Sequence, residues 1–227
     1  FTSQIECDTA ILNGRVEGAV SDLVRVARMN SRGAKIKPQI ATSAYWQLLT
    51  NRNSRIRELK QLDDKMVAMT RYSVTDMLAD HVVDSAKLKS ERVFKVQIND
   101  VNVRLQMMQN NEMDAMFVTE PQATLARLSK HKLLLDTRKL DWNMGVIAFR
   151  EKPMKDVDRK RQYDVFVKAY NQACDSINKN GIAHYAHLME KYCRTRREAL
   201  DSIPKTKFHH AVGPREKDMM MAEKYIK

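Results

Sequence analysis

Hydroxyl side chains stand at a predicted helix start in the first half of the chain. Ser73 and Thr75 follow Arg71 and Tyr72, where an apolar strand at 66–70 gives way to a helix. The first turn of a helix has backbone N–H groups without intrahelical partners and carries about half a positive charge. With two added hydroxyls, such a turn can bind a carboxylate, sulfonate or phosphate. The alternative is that Ser73 only caps its helix, as serine commonly does.

Aromatic side chains flank two other predicted strands. Tyr45 and Trp46 follow the strand at 36–42, and Trp142 and Asn143 precede the strand at 146–149. Aromatic rings stack on planar or cationic groups, so these side chains are candidates for the wall of a ligand site. Trp46 can equally pack in the core, because tryptophan is largely buried in most proteins.

Acidic and hydroxyl side chains end two further predicted strands. Asp22 and Glu120 can accept hydrogen bonds from an amine or ring nitrogen, although helix capping or solvent exposure explains each equally well. Open α/β sheets bind ligands beyond the carboxyl ends of their strands. The predicted ligand-binding residues are therefore Ser21, Asp22, Ser43, Tyr45, Trp46, Tyr72, Ser73, Thr75, Glu120, Trp142 and Asn143.

No catalytic or metal-binding motif accompanies these residues. HExxH, GxSxG, Walker A and GxGxxG patterns are absent from the sequence. His184, His187 and Glu190 would lie only loosely on one helix face, so we expect them to be solvated or structural. We expect no catalytic residues, no metal and no cofactor.

The three cysteines are scattered. Cys7, Cys174 and Cys193 form no CxxC pair, which argues against a zinc site or a disulfide framework. We expect buried free thiols, with a Cys174–Cys193 bridge as the alternative in an oxidising compartment.

The predicted elements that position these residues alternate between strand and helix as far as residue 149, and the remainder is helical. This order predicts an α/β architecture with largely parallel sheets. Residues 51–54 form a polar break and are a candidate for a chain crossing between two lobes.

One αβ pattern occurs twice, at 10–22 and at 107–121. Each copy ends an apolar helix at a residue suited to the left-handed conformation and continues into a short strand. The aligned pairs are Gly14 with Asn111, Glu17 with Asp114, and Gly18 with Ala115. Two units of one design predict two similar lobes.

Composition limits the class of protein. The 227 residues are 43% hydrophobic, as in globular proteins, and no apolar run reaches the roughly 20 residues of a membrane span. The net charge of +12 would suit nucleic acid, but acids are interspersed and no recognition motif is present. Because the chain opens on Phe1 close to a helix, we expect a signal and an initial strand–helix segment to be missing.

Several stretches carry a family resemblance. Residues 62–69 followed by 73–78, residues 111–121 and residues 166–170 resemble solute-binding proteins of ABC importers, of the nitrate/sulfonate/taurine-type and thiamine-pyrimidine-type family. The resemblance implies a periplasmic-binding-protein type 2 fold with three-layer αβα lobes, two hinge crossings and a helical C-terminal part. Lobe one would be 1–50 plus 145–227, and lobe two 54–140.

The same resemblance implies a function. The protein would bind a sulfonate-, carboxylate- or pyrimidine-like solute between the lobes by hinge closure and deliver it to the permease subunits of an ABC importer. It would be a monomer without enzyme activity or a nucleic-acid partner. It would be periplasmic or anchored outside the cytoplasmic membrane, with its signal peptide or lipid anchor lost from this chain.

Two other classes stay open. The same lobes occur in the effector domains of transcription regulators and in enzymes of the pyrimidine-precursor synthase or dehydratase type. An upstream helix-turn-helix would favour the regulator, whereas an upstream lipobox cysteine would favour the importer.

Overall fold

The computed structural model describes Phe1 and residues 3–226. The chain divides into two compact units. Unit one comprises Phe1–Ala44, Asn143–Tyr185 and Pro204–Lys227, and unit two comprises Tyr45–Trp142 and Ala186–Ile203.

The regular elements of the described residues follow one another along the chain in a strand–helix alternation. The strands are β1 (Gly18–Asp22), β2 (Ile36–Ala41), β3 (Gln47–Thr50), β4 (Lys65–Met69), β5 (Val93–Gln97), β6 (Ala115–Val118), β7 (Lys132–Asp136) and β8 (Gly145–Arg150). The helices are α1 (Gln4–Leu12), α2 (Leu23–Ser31), α3 (Val74–Ser85), α4 (Val101–Gln109), α5 (Gln122–Leu128), α6 (Val157–Asn180), α7 (Ala186–Cys193), α8 (Arg197–Leu200) and α9 (Glu216–Ile226).

Each unit contains one sheet with a single reversed strand among its described residues. In unit one the strand order is β1-β8-β2, and β8 is antiparallel to both neighbours. In unit two the order is β5-β4-β6-β3-β7, where β4 is parallel to β5 and β6 while β3 is antiparallel to β6 and β7. The prediction of largely parallel sheets is therefore wrong for unit one and holds only for β5, β4 and β6.

The reversed strands explain that error. Each one is the first strand after the chain enters its unit, since β3 follows the boundary at 44/45 and β8 follows the boundary at 142/143. Alternation of strands and helices along the sequence does not reveal that an entering strand inserts between strands that run the other way.

The repeated pattern has the predicted backbone in both copies. Gly14 ends α1 at φ 71° and Asn111 follows α4 at φ 64°, both in the left-handed region. The strands then begin at the aligned positions Gly18 and Ala115. The residue before each strand also has the same role, because its carbonyl accepts a hydrogen bond from the end of the reversed strand. Arg150 N donates to Glu17 O at 2.8 Å, and Asn51 N donates to Asp114 O at 2.7 Å.

The core of unit two lies between its sheet and the helices α4 and α5. Apolar side chains from β3, β4 and β6 meet side chains of both helices there; the fully buried members are Leu49, Ala68, Met108, Met116, Ala123 and Ala126. In unit one, α2 packs against α9 and buries Leu23, Val24 and Val26. The sheets are thus held by conventional apolar packing, which leaves their polar strand ends outside the core.

The unit boundaries differ from the expected lobes in two places. Residues 45–50 belong to unit two because β3 is hydrogen-bonded into its sheet, so the chain crosses before β3 and not at 51–54. Residues 186–203 also belong to unit two, because α8 packs against α5 and Gln122 donates to the carbonyl of Cys193.

The cysteines are free thiols. Cys174 is buried in unit one, and Cys7 and Cys193 are half-buried. Burial raises the pKa of each thiol above its ordinary value. In the described part of the chain, no helix is long and apolar enough to span a membrane.

The close approach of Phe149 to Gly18 predicts a stability effect. A Cβ at Gly18 would lie 2.4 Å from the ring of Phe149, and that ring is held edge-on against Tyr163 and Phe166. We expect Gly18→Ala to lower the free energy of unfolding by about 1–3 kcal/mol, measured by urea denaturation. Gly213→Ala is the control: a Cβ there meets nothing within 4 Å, so the change should stay within about 0.5 kcal/mol. Equal effects of the two variants would contradict the packing argument.

Candidate functional site

The strand directions of unit two bring its polar strand ends to one edge of the sheet. β4 and β6 are parallel, so residues 70–75 and 119–121 follow at the same edge. β3 runs the other way, and its first residue, Gln47, pairs with the last residues of β6 and β7, Val118 and Asp136. The start of β3 therefore lies beside the ends of β6 and β7, and we call this polar rim the site edge.

Glu120 is the centre of a hydrogen-bond network at the site edge. Its Oε1 accepts from Gln47 Nε2 at 2.9 Å, Arg127 Nη2 at 2.8 Å and the Tyr45 hydroxyl at 3.4 Å. Its Oε2 accepts from the backbone N–H and hydroxyl of Thr124, at 2.9 and 2.7 Å. The carboxylate joins β3 to α5, and protein donors already occupy both of its oxygens.

These donors keep Glu120 ionised. Burial alone would raise its pKa, but hydrogen bonds from Thr124, Arg127 and Gln47 outweigh burial and hold the pKa below its usual range. Arg127 also donates to Gln47 Oε1 and, at 2.6 Å, to the Thr124 hydroxyl. We infer that Glu120 positions its neighbours, since little capacity to accept from a ligand is left.

Tyr45 and Arg138 form a stacked pair at the same edge. The guanidinium carbon of Arg138 lies 4.1 Å from the centroid of the buried Tyr45 ring. Nε and Nη2 of Arg138 both donate to the carboxylate of Asp136. Arg138 is half exposed, and its Nη1 makes no hydrogen bond within the described residues. The two N–H donors of Nη1 therefore stay available at the rim.

The two tryptophans of unit two lie at different places. Trp46 is half-buried. Its backbone N–H donates to the Thr137 hydroxyl, and its carbonyl accepts from the Thr137 N–H, each at 3.0 Å. Trp142 packs on His81 with ring centroids 4.9 Å apart. Trp46 is thus hydrogen-bonded to Thr137 at the site edge, whereas Trp142 contacts α3.

The hydroxyls before α3 point inward. Ser73 caps the helix, accepting from Thr75 N at 3.1 Å and donating to Thr70 O at 2.7 Å. Thr75 Oγ1 accepts from Thr70 N at 2.9 Å and lies 2.8 Å from the Ser73 hydroxyl. Both residues are buried, so capping explains them and they offer a ligand little hydroxyl surface.

Tyr72 is the exposed member of this turn. Its φ is 59°, a left-handed conformation that is uncommon for a bulky residue. Its backbone N–H donates to Asp76 Oδ2 at 2.8 Å, and Lys95 holds Asp76 with a salt bridge of 2.8 Å. The turn therefore presents the ring of Tyr72, 53% exposed, beside the start of α3.

The predicted site residues of unit one lie at the carboxyl end of β1 and after β2. Asp22 caps α2 through Arg25 N at 3.0 Å and pairs with the Arg25 guanidinium. Ser21 is buried, and its hydroxyl has no hydrogen-bond partner among the described residues. Ser43 donates to the carbonyl of Lys207 at 3.3 Å. Asp22 is thus a structural cap, while Ser21 keeps an unused polar group.

The structure adds site residues that the sequence analysis did not single out. Arg127 and Thr124 follow Glu120 at spacings of seven and four, which places them on one helix face and would have been a usable signal. Gln47 and Arg138 join the site only through the register of β3 with its neighbours, for which the sequence has no local signal.

The potential metal ligands of the described residues are scattered. Among the described residues, no three His, Cys, Asp or Glu side chains are placed to hold a metal ion together. His184 and His187 are exposed, as expected from their loose helical spacing. Asn143 is half-buried at the start of the second stretch of unit one.

Comparison with known proteins finds a family match but no significant match to a curated protein. The NMT1/THI5-like family profile matches residues 2–179. No curated protein matches the sequence significantly.

Solved structures share the fold at low sequence identity. The alkanesulfonate-binding protein SsuA from Xanthomonas axonopodis pv. citri, bound to MOPS, has a TM-score of 0.80 and 14% identity, over 100% of this chain and 78% of that chain. The periplasmic aliphatic sulphonate binding protein SsuA from Escherichia coli gives 0.81 and 14%, over 100% and 75%. The periplasmic nitrate-binding protein NrtA from Synechocystis PCC 6803 gives 0.71 and 11%, over 88% and 59%.

The network around Glu120 predicts a pH-dependent stability contribution. Glu120→Gln keeps the shape but loses the charge opposite Arg127, and we expect it to lower the free energy of unfolding by about 1–3 kcal/mol at pH 7. Because the folded pKa lies below the unfolded value of about 4.3, this contribution is complete above that value and is lost as the pH falls through the folded pKa. The measurement is urea denaturation from pH 7 to pH 3.

The control for that experiment is Glu112→Gln, which removes an exposed carboxylate and should change stability by less than about 0.5 kcal/mol. A Glu120→Gln deficit that did not shrink at low pH would show that the lost charge is not its cause.

Proposed function

The chain belongs to the NMT1/THI5-like family, and on that premise we propose that it is the substrate-binding component of an ABC importer. Its α/β fold is that of periplasmic solute-binding proteins, with sulfonate- and nitrate-binding proteins among its structural neighbours. The observation that carries the proposal is the site edge of unit two. There the ends of β6 and β7 and the start of β3 bring polar and aromatic side chains together with the ionised carboxylates of Glu120 and Asp136.

The solute we propose is a small organic molecule with an anionic group, of the sulfonate or carboxylate class. Arg138 supports this choice, because its guanidinium carbon lies over the Tyr45 ring and the group keeps two N–H donors at the rim. A guanidinium so fixed loses little side-chain entropy when it donates to an anion. Tyr72 and Trp46 would supply apolar surface for the organic part of the solute. A pyrimidine-like solute stays an alternative.

The remaining site residues would support this binding in different ways. Glu120, Asp22, Ser73 and Thr75 would act by positioning strands and helix starts, because protein groups already use their polar atoms. Binding without chemical change is the activity these groups suit, since the carboxylates of Glu120 and Asp136 already accept hydrogen bonds from protein donors.

Other parts of the proposal follow from the family. Delivery to permease subunits, a location in the periplasm or on the outside of the cytoplasmic membrane, and a monomeric state are proposed together with solute binding. Hinge closure stays a prediction from the sequence, and small-angle scattering with and without a bound solute would test it.

The first test is a thermal-shift screen of the chain against MOPS and other sulfonates, nitrate, aliphatic acids and aminopyrimidines. A solute at about 100 times its Kd should add about 2.7 kcal/mol of stability, which raises Tm by roughly 5–10 °C in a chain of this size. Recovery of the solute unaltered would support binding over catalysis. A flat screen with folded protein would count against the proposal.

The binding residue is tested separately. Arg138→Gln should raise the Kd of the solute found in the screen by about tenfold, because one charge-assisted contact is lost. Lys139→Gln removes the same charge from the neighbouring exposed residue and should leave Kd within about twofold. If both variants bind as the wild type does, Arg138 is not a contact residue.

A further inference from the structure

A concave pocket lies in unit one, at the edge of the sheet opposite Ser21 and Asp22. It is formed where α1 and α2 end, where β2 begins and where β8 ends. The register of the strands shows that the pocket and the Ser21–Asp22 end lie at opposite edges of the sheet. Ile36 pairs with Arg150 at the pocket edge, whereas Asp22 pairs with Gly145 at the other edge. Its volume is about 340 Å³, within the range of small-molecule sites.

The pocket is lined by basic side chains and by apolar ones. Four basic side chains contribute to it: Arg32, Lys35, Arg150 and Lys152. Ile11 and Ile36, both nearly fully buried, also line it. No carboxylate lines the pocket, and within the described residues none of the four cations forms an ion pair.

Two acidic residues lie at this edge of the sheet. Glu151 stands between Arg150 and Lys152 in the chain, and its backbone N donates to Lys35 O at 2.9 Å. Glu17 precedes β1 at the same edge, and its carboxylate pairs with Arg159 at 3.1 Å. Cations at a helix C-terminus also balance the negative end of the helix dipole. Two helix ends and the Glu151 carboxylate supply about two negative charges against the four positive ones, so roughly two positive charges are left uncompensated.

Backbone geometry holds one of the cations in place. Arg150 is half-buried, and its guanidinium lies against Gly14, where a Cβ would come within 2.7 Å of Nη1. The turn after α1 thus needs glycine both for its φ of 71° and for the approach of Arg150. A guanidinium packed on a turn is preorganised, unlike a freely rotating surface side chain.

We propose that this pocket binds the phosphate group of a phosphate ester. Two guanidinium groups can form paired hydrogen bonds with phosphate oxygens, the two lysines add charge, and the isoleucines can contact a short apolar substituent. The ester has two possible sources, a soluble phosphate monoester or the headgroup of an anionic phospholipid. The site is separate from the solute site proposed above and does not depend on it.

The test compares charge-matched variants of the full chain. Calorimetry at low ionic strength measures binding of glycerol 3-phosphate, and co-sedimentation measures binding to phosphatidylcholine vesicles with and without phosphatidylglycerol. We expect Arg32→Gln with Lys152→Gln to weaken phosphate binding at least about tenfold. The control, Lys37→Gln with Lys155→Gln, removes two exposed lysines outside the lining and should stay within about twofold.

A second variant guards against misfolding as an explanation. Ala34 lines the pocket, and Ala34→Glu places a carboxylate among the cations, so it should also abolish binding while circular dichroism and Tm stay unchanged. Arg138→Gln should leave phosphate binding intact, which separates this proposal from the solute site.

The outcomes distinguish the two sources. Binding of glycerol 3-phosphate that the pocket variants abolish assigns a soluble ester, and binding only to phosphatidylglycerol vesicles with the same dependence assigns a lipid headgroup. The proposal is overturned if wild type binds neither probe, or if the control pair loses as much binding as the pocket pair.

Discussion

The reversed strand β3 is the constraint on which the site of unit two depends. Its four residues are completely buried and pair with β6 on one side and β7 on the other. Since it runs against both neighbours, its first residues must lie beside their last ones. Tyr45 and Gln47 therefore meet Glu120 and Arg138, although these residues are 73 or more positions apart in sequence. The strand β8 has the same place in unit one, so one topological device organises both units.

Burial of polar groups at this edge requires that almost every one of them be paired. Glu120 satisfies five donors and keeps its charge, so it contributes stability where an unpaired carboxylate would cost several kcal/mol. Arg138 stands in contrast, because Asp136 uses one side of its guanidinium and leaves the other exposed. The difference separates a side chain that builds the edge from one that can contact a solute, and residue type alone would not have separated them.

The sequence predicts local structure here better than it predicts pairing. The left-handed residues Gly14 and Asn111 and the Ser73 cap are confirmed, because each depends on neighbouring residues only. The sheet directions and the partners of Glu120 were not predictable, because they follow from the insertion of an entering strand and from its register. Long-range pairing of this kind leaves no periodic signal in one sequence. Family resemblance identified the fold where local patterns did not.

The two outer strands of the unit one sheet differ in how well they resist further pairing. β2 carries Pro38 and a register irregularity beside it, and Lys37 is exposed, all of which discourage another strand from adding. β1 has the small residues Gly18 and Ala19 and an exposed Val20, and Gln4 shields just one of its carbonyls. Like-charge repulsion from the +12 net charge opposes the addition of another chain at β1. Salt weakens this repulsion, because the Debye length shrinks as the ionic strength rises.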